Sequence, residues 1–285
     1  MADFAGKLAA AMRRNRSLVC VGLDPDPRLV PPRVRERIDW VAYFNAGIME
    51  ATADLVCAYK PNLAFYEALG PVGMAGLRYT LAHVPGDIPV VLDAKRGDIG
   101  TSAARYAAAL FEELGADAAT VNPYMGFDAV EPFLAYRDRG VFILCKTSNP
   151  GAADFQDLVC TVDGVAAPLY AHVARAAVAW NRHGNVGLVV GATQPDALRT
   201  VRALAPELPL LVPGVGAQGG ELAVAVRAGL DRQAGGLLIA ASRAILYASP
   251  GDDWQQAARE AARALRDAIN ALREASSYGA GSLSR

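Results

Sequence analysis

The sequence predicts a single (β/α)8 barrel of the TIM type, an α/β fold, and three observations support this prediction. Short apolar runs typical of strands alternate with longer helical patterns along the 285 residues of the chain. Eight such runs can be counted, which is the number of strands in a barrel of this kind. Most of them are continuous apolar stretches, as expected for parallel strands that are covered on both faces.

The predicted strands and helices follow one another in order. The strands are SLVCVGLD (17–24), AYKPN (58–62), IPVVLDAK (88–95), AATVNP (118–123), GVFILCKTS (140–148), VGLVVGA (186–192), LPLLVPGVG (208–216) and GGLLIAASRAIL (235–246). Helical patterns lie between them at residues 39–56, 101–114, 167–181 and 220–229, and a last helix is predicted at 252–275. A doubly wound open sheet is the alternative, but the eight strands and the lack of an early G-x-G-x-x-G turn disfavour it.

The predicted elements are expected to form one domain over residues 1–275, since no stretch between them is typical of a linker. The tail at 276–285 is rich in Gly and Ser, and we expect it to be flexible. The connection at 149–165, after the fifth strand, is unusually long. Connections of this length in a compact domain are often functional lids or disordered.

Composition and charge exclude several classes of protein. Hydrophobic residues make up 53% of the chain, which is too much for a disordered protein. The 28 basic and 29 acidic residues nearly cancel, which argues against a protein that binds nucleic acid or an anionic membrane surface. No apolar stretch is long enough to span a bilayer, and the N-terminus does not resemble a signal peptide. Four cysteines without metal-ligand spacing (Cys20, Cys57, Cys145 and Cys160) indicate a cytoplasmic protein with reduced thiols.

Polar residues cluster where the predicted strands end, and this is the face on which TIM barrels carry their active sites. They are Asp24, Lys60, Asp93, Lys95, Asn122, the segments 146–148 and 213–220, Ser242 and Arg243. Packing alone does not account for polar groups at one end of so many apolar strands. We therefore expect a functional site there.

The densest group of charges is the segment LDAKRGDIG at 92–100. Asp93 and Lys95 are two residues apart on a strand and face the same side. With Asp98 and Lys60 they form a set of two cations and two anions, which is costly to bury and weakly stabilising. A lysine between carboxylates stays protonated, which favours proton donation over Schiff-base chemistry. The alternative is an exposed salt-bridge network on a loop.

A second candidate site is an anion-binding end at the last two strands. The Gly-rich turn at 212–220 precedes a helix, and Arg243 follows the eighth strand. Barrels often bind phosphate at this place, through backbone N–H groups and a basic side chain. A tight turn beside a surface arginine is the alternative. The three histidines lie in helical patterns, so neither a histidine triad nor a metal site is expected.

Taken together, these motifs resemble those of the orotidine 5′-phosphate decarboxylase family, in particular its longer bacterial (type 2) members. The matching segments are VGLDPDP (21–27), YKPNLAFYEALG (59–70), VLDAKRGDIG (91–100), TVNPYMGFDAVEPF (120–133), VFILCKTSNPG (141–151), VGATQP (190–195), LVPGVGAQGG (211–220) and SRAILYA (242–248). The resemblance implies a TIM barrel that converts orotidine 5′-phosphate to UMP without a cofactor or metal, as a homodimer.

The resemblance also implies a role for each catalytic position. Lys60, Asp93, Lys95 and Asp98 match the alternating Lys-Asp-Lys-Asp tetrad of the family. Lys95 would protonate C6 of the pyrimidine as carbon dioxide leaves, while Asp93 would crowd the substrate carboxylate. Asp98 would serve the active site of the partner subunit. The hydroxyl of Ser102 would meet the ribose in the same partner site, although many relatives have Ser-Thr where this chain has Thr101-Ser102.

The substrate contacts implied by the resemblance extend from the ribose to the phosphate. Asp24 and Lys60 would contact the ribose hydroxyls, and Ser148 the edge of the pyrimidine. The other implied contacts are Pro213, Gln218 and Gly219 in the Gly-rich turn, followed by Ser242 and Arg243. Gln218 would bridge the pyrimidine and the phosphate, and Arg243 would clamp the phosphate. The segments 149–165 and 213–220 are the candidates to close over the substrate.

Two other functions remain open from the sequence. A metal-dependent sugar-phosphate decarboxylase or aldolase of the same superfamily shares the D-x-K-x-x-D element. It would need a carboxylate near the end of the second strand, where this chain has Lys60, and a protonated lysine does not ligate magnesium. A non-catalytic nucleotide-binding protein would not need the full charged tetrad.

Overall fold

Eight parallel strands close into a barrel in the computed structural model, which describes residues 3–215 and 222–281. The barrel strands are β1 (Val19–Leu23), β2 (Ala58–Pro61), β3 (Val91–Arg96), β4 (Ala118–Val121), β5 (Gly140–Lys146), β8 (Val186–Val190), β9 (Leu210–Pro213) and β10 (Leu237–Ala241). Two further strands, β6 (Val159–Val162) and β7 (Val165–Pro168), pair only with each other. The barrel order is β2-β1-β10-β9-β8-β5-β4-β3. Parallel bridges from Tyr59 to Val90 and from Asn62 to Asp93 join β2 to β3 and close it.

The helices surround this barrel and connect its strands. They are α1 (Phe4–Asn15), α2 (Pro32–Arg35), α3 (Trp40–Thr52), α4 (Leu63–Glu67), α5 (Gly70–His83), α6 (Gly100–Ala108), α7 (Phe127–Leu134), α8 (Leu169–Trp180), α9 (Pro195–Leu204), α10 (Leu222–Gly229), α11 (Arg243–Leu246) and α12 (Trp254–Gly281). A π-helical turn, Ala109–Glu113, continues α6. None of the helices within the described residues is both long and apolar enough to cross a membrane.

The predicted barrel is confirmed, and each of its eight strands lies at the predicted place. The eighth predicted run is too long, because its last residues, 243–246, form the one-turn helix α11. The last helix continues past residue 275 to Gly281. The flexibility expected for residues 276–285 stays a prediction.

The N-terminal helix α1 packs against the apolar barrel interior at the end opposite the predicted site. The ring of Phe4 meets the ring of Phe142 on β5 edge to face, with 5.8 Å between ring centres. Gly140 makes room for it, since a Cβ at that position would lie 2.4 Å from a carbon of the Phe4 ring. Asp3 begins the helix by accepting a hydrogen bond from the N–H of Gly6. This packing leaves the other end of the barrel for a site.

The long connection after β5 has secondary structure of its own, which differs from the disordered loop that was one of the two alternatives from the sequence. Its closure over a ligand stays a prediction. It contains a 3-10 turn, Pro150–Asp154, followed by the antiparallel hairpin of β6 and β7. Asp163 and Gly164 form the two-residue turn of the hairpin with φ values of 50° and 78°. Asp-Gly is a favoured pair for such turns, because both positions require a positive φ.

Candidate active site

The carboxyl ends of the barrel strands surround a cavity of about 650 Å³, a volume that suits a small organic ligand. Every barrel strand, or the turn that follows it, contributes to the cavity wall. The lining includes Asp24, Lys60, Asn62, Asp93, Lys95, Thr120, Ser148, Pro213, Gly214, Ser242, Arg243 and Tyr247. The predicted candidate groups from the first three strands and from the last two are therefore brought together.

Asp93 is the centre of a hydrogen-bonded cluster in this wall. Its Oδ2 accepts from the Lys60 Nζ at 3.1 Å, and its Oδ1 accepts from the Lys95 Nζ at 2.5 Å. The hydroxyl of Thr120 on β4 also donates to Oδ1, at 3.0 Å. One carboxylate thus holds two ammonium groups and a hydroxyl from three neighbouring strands.

The electrostatics of the cluster keep its charges fixed. Burial alone would raise the pKa of Asp93, but the positive charges of Lys60 and Lys95 outweigh it and hold that pKa well below its usual range. Burial alone would lower the pKa of Lys60, yet the carboxylates of Asp93 and Asp24 raise it above the usual value for a lysine. Asp93 therefore stays an anion and Lys60 a cation at neutral pH.

Both lysines of the cluster line the cavity, and Lys95 is the more exposed of the two. Its side chain is 47% exposed, against 6% for Lys60. Its backbone has a φ of 48°, a left-handed conformation that costs a non-glycine residue about 1 kcal/mol or more. The N–H of Lys95 donates to the Thr120 hydroxyl at 2.9 Å, beside a shift in the β3–β4 register between Leu92 and Arg96. Such irregularities often re-aim a side chain next to an active site.

Asp98 and Ser102 do not join the cavity of their own chain. The Asp98 carboxylate accepts a hydrogen bond from the adjacent N–H of Ile99 at 2.8 Å. Ser102 is exposed in the first turn of α6. Neither residue is among those that line the cavity in the described part of the chain. Within one chain, the predicted tetrad is therefore a triad of Lys60, Asp93 and Lys95.

Asp24, at the end of β1, is held from two directions. Its Oδ2 accepts from the Ser242 hydroxyl at 2.7 Å, and its Oδ1 accepts from the N–H of Asn62 at 3.1 Å. Arg243 follows Ser242 as the first residue of α11, and it is exposed while lining the cavity. The predicted contacts from β1 and β10 thus lie side by side.

Ser148, two residues after the end of β5, lines the cavity as predicted, but Lys146, the last residue of that strand, is not among the described residues that line it. The register of β5 against β8 shifts between Leu144 and Lys146, and the Lys146 ammonium instead pairs with Asp157 at 2.7 Å. Ser148 lies close to Gly191, where a Cβ would come within 2.8 Å of the serine Cβ. Of the Gly-rich turn, Pro213 and Gly214 line the cavity, whereas Gln218 and Gly219 lie outside the described residues.

Thr120 and Asn62 are cavity residues that the sequence analysis missed. Asn122, chosen instead as the polar end of β4, caps the following turn by accepting from the N–H of Tyr124 at 3.0 Å. The signal for Thr120 was a hydroxyl inside an apolar strand that runs beside the charged one. Among the described residues, no three His, Cys, Asp or Glu side chains are grouped so as to hold a metal ion.

Comparison with known proteins finds a matching family model and relatives that align over most of the chain. A family model described as orotidine 5′-phosphate decarboxylase / HUMPS matches residues 17–261. The orotidine 5′-phosphate decarboxylase of Thermomicrobium roseum is 52% identical over 273 residues, which cover 95% of this chain and 96% of that protein. Its counterpart in Azoarcus sp. is 53% identical over 273 residues, with 95% and 99% of the two chains covered.

Solved structures give the same result for the fold. Leishmania donovani OMP decarboxylase superposes with a TM-score of 0.81 at 44% identity, covering 95% of this chain and 99% of that one. The UMP synthase of the same organism superposes with a TM-score of 0.84 at 44% identity, and the chain spans 57% of its length. On the family model, the relatives at about half identity and the shared barrel, the chain belongs to the orotidine 5′-phosphate decarboxylase family.

Proposed function

We propose that this protein converts orotidine 5′-phosphate to UMP and carbon dioxide, the step that completes UMP in de novo pyrimidine nucleotide biosynthesis, with Lys95 as the proton donor. The observation that carries the proposal is the half-exposed ammonium of Lys95, held 2.5 Å from Asp93 in the cavity wall. Asp93 and Lys95 also match the second and third positions of the family's Lys-Asp-Lys-Asp tetrad. No metal or organic cofactor is part of the proposed reaction.

The proposed chemistry uses the two charges of this pair in turn. The bond between C6 of the pyrimidine and the carboxylate breaks, carbon dioxide leaves, and the electron pair stays on C6. Lys95 then donates a proton from Nζ to C6, which completes UMP. A fixed ammonium stabilises the developing negative charge because it needs no reorganisation at that moment. Asp93 lies next to the Lys95 ammonium, so it would repel the substrate carboxylate that is about to leave.

The rest of the cavity is proposed to hold the nucleotide. Asp24 and Lys60 would contact the ribose hydroxyls, and Ser148 the edge of the pyrimidine. The phosphate would lie at the end formed by Pro213, Ser242 and Arg243, with Gln218 and Gly219 of the Gly-rich turn. An exposed guanidinium at this place can form two parallel hydrogen bonds to phosphate. Binding energy from the distant phosphate could then be used in the transition state.

We further propose that the active protein is a homodimer in which Asp98 and Ser102 complete the partner's site. Both residues lie outside the cavity of their own chain. Exposed apolar side chains occur nearby on the segments that follow β3 and β4: Ile99, Tyr106, Tyr124 and Met125. A second copy would cover them.

We also propose that the protein is cytoplasmic, because its four cysteines are free thiols and the cytoplasm keeps thiols reduced.

The proposed activity is tested by following the ultraviolet absorbance of orotidine 5′-phosphate with purified, chelator-treated protein. The expected result is complete conversion to UMP at a rate that added magnesium does not change. Folded protein that leaves orotidine 5′-phosphate intact would contradict the proposal. Activity on sugar phosphates that appears only with magnesium would favour the metal-dependent alternative instead.

A further inference from the structure

The hydroxyl of Tyr247 bridges two backbone groups in the segment that carries Asp24. It donates to the backbone oxygen of Asp24 at 2.8 Å and accepts from the backbone N–H of Asp26 at 2.7 Å. Burial raises the pKa of Tyr247 above the usual value for a phenol, so the hydroxyl keeps the proton that it donates. A single side chain thus fixes the turn that follows β1.

The position of the Tyr247 ring is itself fixed by the fold. The ring stacks on Phe44 of α3, with 5.9 Å between ring centres and 9° between ring planes. The N–H of Tyr247 donates to the backbone oxygen of Arg243 at 3.2 Å, across the single turn of α11. The hydroxyl therefore reaches Asp24 from the helix that carries Arg243.

The segment that Tyr247 holds is stiff, so that holding its backbone also restricts the Asp24 side chain. Asp24 and Asp26 each precede a proline, which restricts both to extended conformations. The carboxylate of Asp24 also accepts from Ser242, the residue before α11, at 2.7 Å. Residues 242–247 thus bind the Asp24–Asp26 segment through three hydrogen bonds. Fixing the backbone on both sides of Pro25 fixes the direction of the Asp24 side chain.

We propose that Tyr247 is a positioning residue whose hydroxyl holds Asp24 in the orientation that binds the ribose. The inference rests on the proposed function, since the ribose contact of Asp24 is part of it. Tyr247 acts through Asp24 and needs no contact with the ligand. Loss of the Tyr247 hydroxyl leaves the backbone oxygen of Asp24 and the backbone N–H of Asp26 without this partner. The Asp24 carboxylate then becomes less well oriented.

The variant Tyr247→Phe tests this inference, because it removes the hydroxyl and keeps the stacked ring. Binding of UMP and of its 2′,3′-dideoxy analogue is measured by calorimetry. We expect UMP to bind about tenfold more weakly and the analogue, which lacks the ribose hydroxyls, to change by less than about twofold. Tyr59→Phe is the matched control. It removes a buried phenol that bonds Thr52 and Met49 in the core, and both affinities should stay unchanged.

A double-mutant cycle with Asp24→Asn gives a second, independent readout. If Tyr247 acts through Asp24, Tyr247→Phe should change UMP affinity by less than about twofold in the Asp24→Asn background. Equal weakening of UMP and its analogue by Tyr247→Phe, or additive effects of the two substitutions, would overturn the inference. Failure of the proposed function gives a different result, namely wild-type protein that neither binds UMP nor consumes orotidine 5′-phosphate.

Discussion

The ammonium of Lys95 lies 2.5 Å from Oδ1 of Asp93, and the two side chains differ sharply in exposure. The Asp93 side chain is 12% exposed and the Lys95 side chain is 47% exposed, so the carboxylate is largely buried in the barrel wall while the ammonium is accessible from the cavity. A ligand carboxylate placed here would be repelled by the fixed anion, whereas a carbanion formed in its place would be stabilised by the cation. This asymmetry is the structural basis of the proposed reaction.

Thr120 is expected to orient this pair. Its hydroxyl donates to Asp93 and accepts from the backbone N–H of Lys95, which has a left-handed conformation. Thr120→Val removes both hydrogen bonds with little change in shape. We expect kcat to fall about tenfold while the KM for orotidine 5′-phosphate changes less, and steady-state kinetics measures both. An unchanged kcat would show that the hydroxyl does not position the pair.

The charge of Asp93 should make stability depend on pH. Its pKa is lower in the folded protein than in the unfolded chain, so its contribution is complete above about pH 4 and is lost as the pH falls. Asp93→Asn leaves the buried Lys60 ammonium without its partner. We expect the free energy of unfolding at pH 7 to fall by about 3 kcal/mol.

Urea unfolding between pH 7 and pH 3 measures this effect, and the variant should lose less stability on acidification than the wild type. Asp87→Asn serves as the control, because Asp87 is an exposed aspartate that pairs with Arg14 on the surface. It should change the free energy of unfolding by less than about 0.5 kcal/mol. Parallel pH profiles for wild type and Asp93→Asn would rule out the expected role of this charge.

Arg243 should act on the phosphate of the substrate. We expect Arg243→Ala to lower kcat/KM for orotidine 5′-phosphate by about a hundredfold, through both weaker binding and lost transition-state stabilisation. Orotidine, which has no phosphate, should be converted by wild type and variant at similar low rates. An equally large loss with orotidine would show that Arg243 does not act through the phosphate.

The proposed shared site can be tested by mixing two inactive variants. Asp98→Ala and Lys95→Ala should each be inactive alone. If subunits pair at random in a twofold dimer, about half of the dimers after exchange are hybrids, and one of the two sites in each hybrid lacks both substitutions. About a quarter of the wild-type activity should therefore return. Absence of recovery, after exchange has been demonstrated with tagged subunits, would argue against a contribution of Asp98 to the partner's site.

The barrel was predictable because its strands are apolar on both faces and their polar ends mark one side. What the pattern does not define is where such a run changes conformation. The apolar run through residues 235–246 contains both β10 and α11, and Ile245 and Leu246 are buried in the helix, so their apolar character does not distinguish helix from strand. The hairpin of β6 and β7 was detectable from Asp163-Gly164, which the sequence analysis did not use.

The candidate site was predictable to the extent that charged residues end apolar strands. Lys146 shows the limit, because a shift in the β5 register turns it towards Asp157, and alternation along a strand does not predict such a shift. Thr120 shows another limit, because one hydroxyl in an apolar strand forms no pattern. Asp98 was singled out with the charged segment at 92–100, and the role proposed for it, in the site of a partner subunit, requires a second chain.

The most direct test of the proposed mechanism is the rate of decarboxylation by Lys95→Ala, compared with Lys7→Ala. Lys7 also pairs with an aspartate, Asp117, at 2.8 Å, but lies outside the cavity lining among the described residues. We expect Lys95→Ala to lose about a thousandfold or more in kcat while still binding UMP, and Lys7→Ala to keep near-wild-type activity. A folded Lys95→Ala variant with near-wild-type turnover would contradict the assignment of Lys95 as the proton donor.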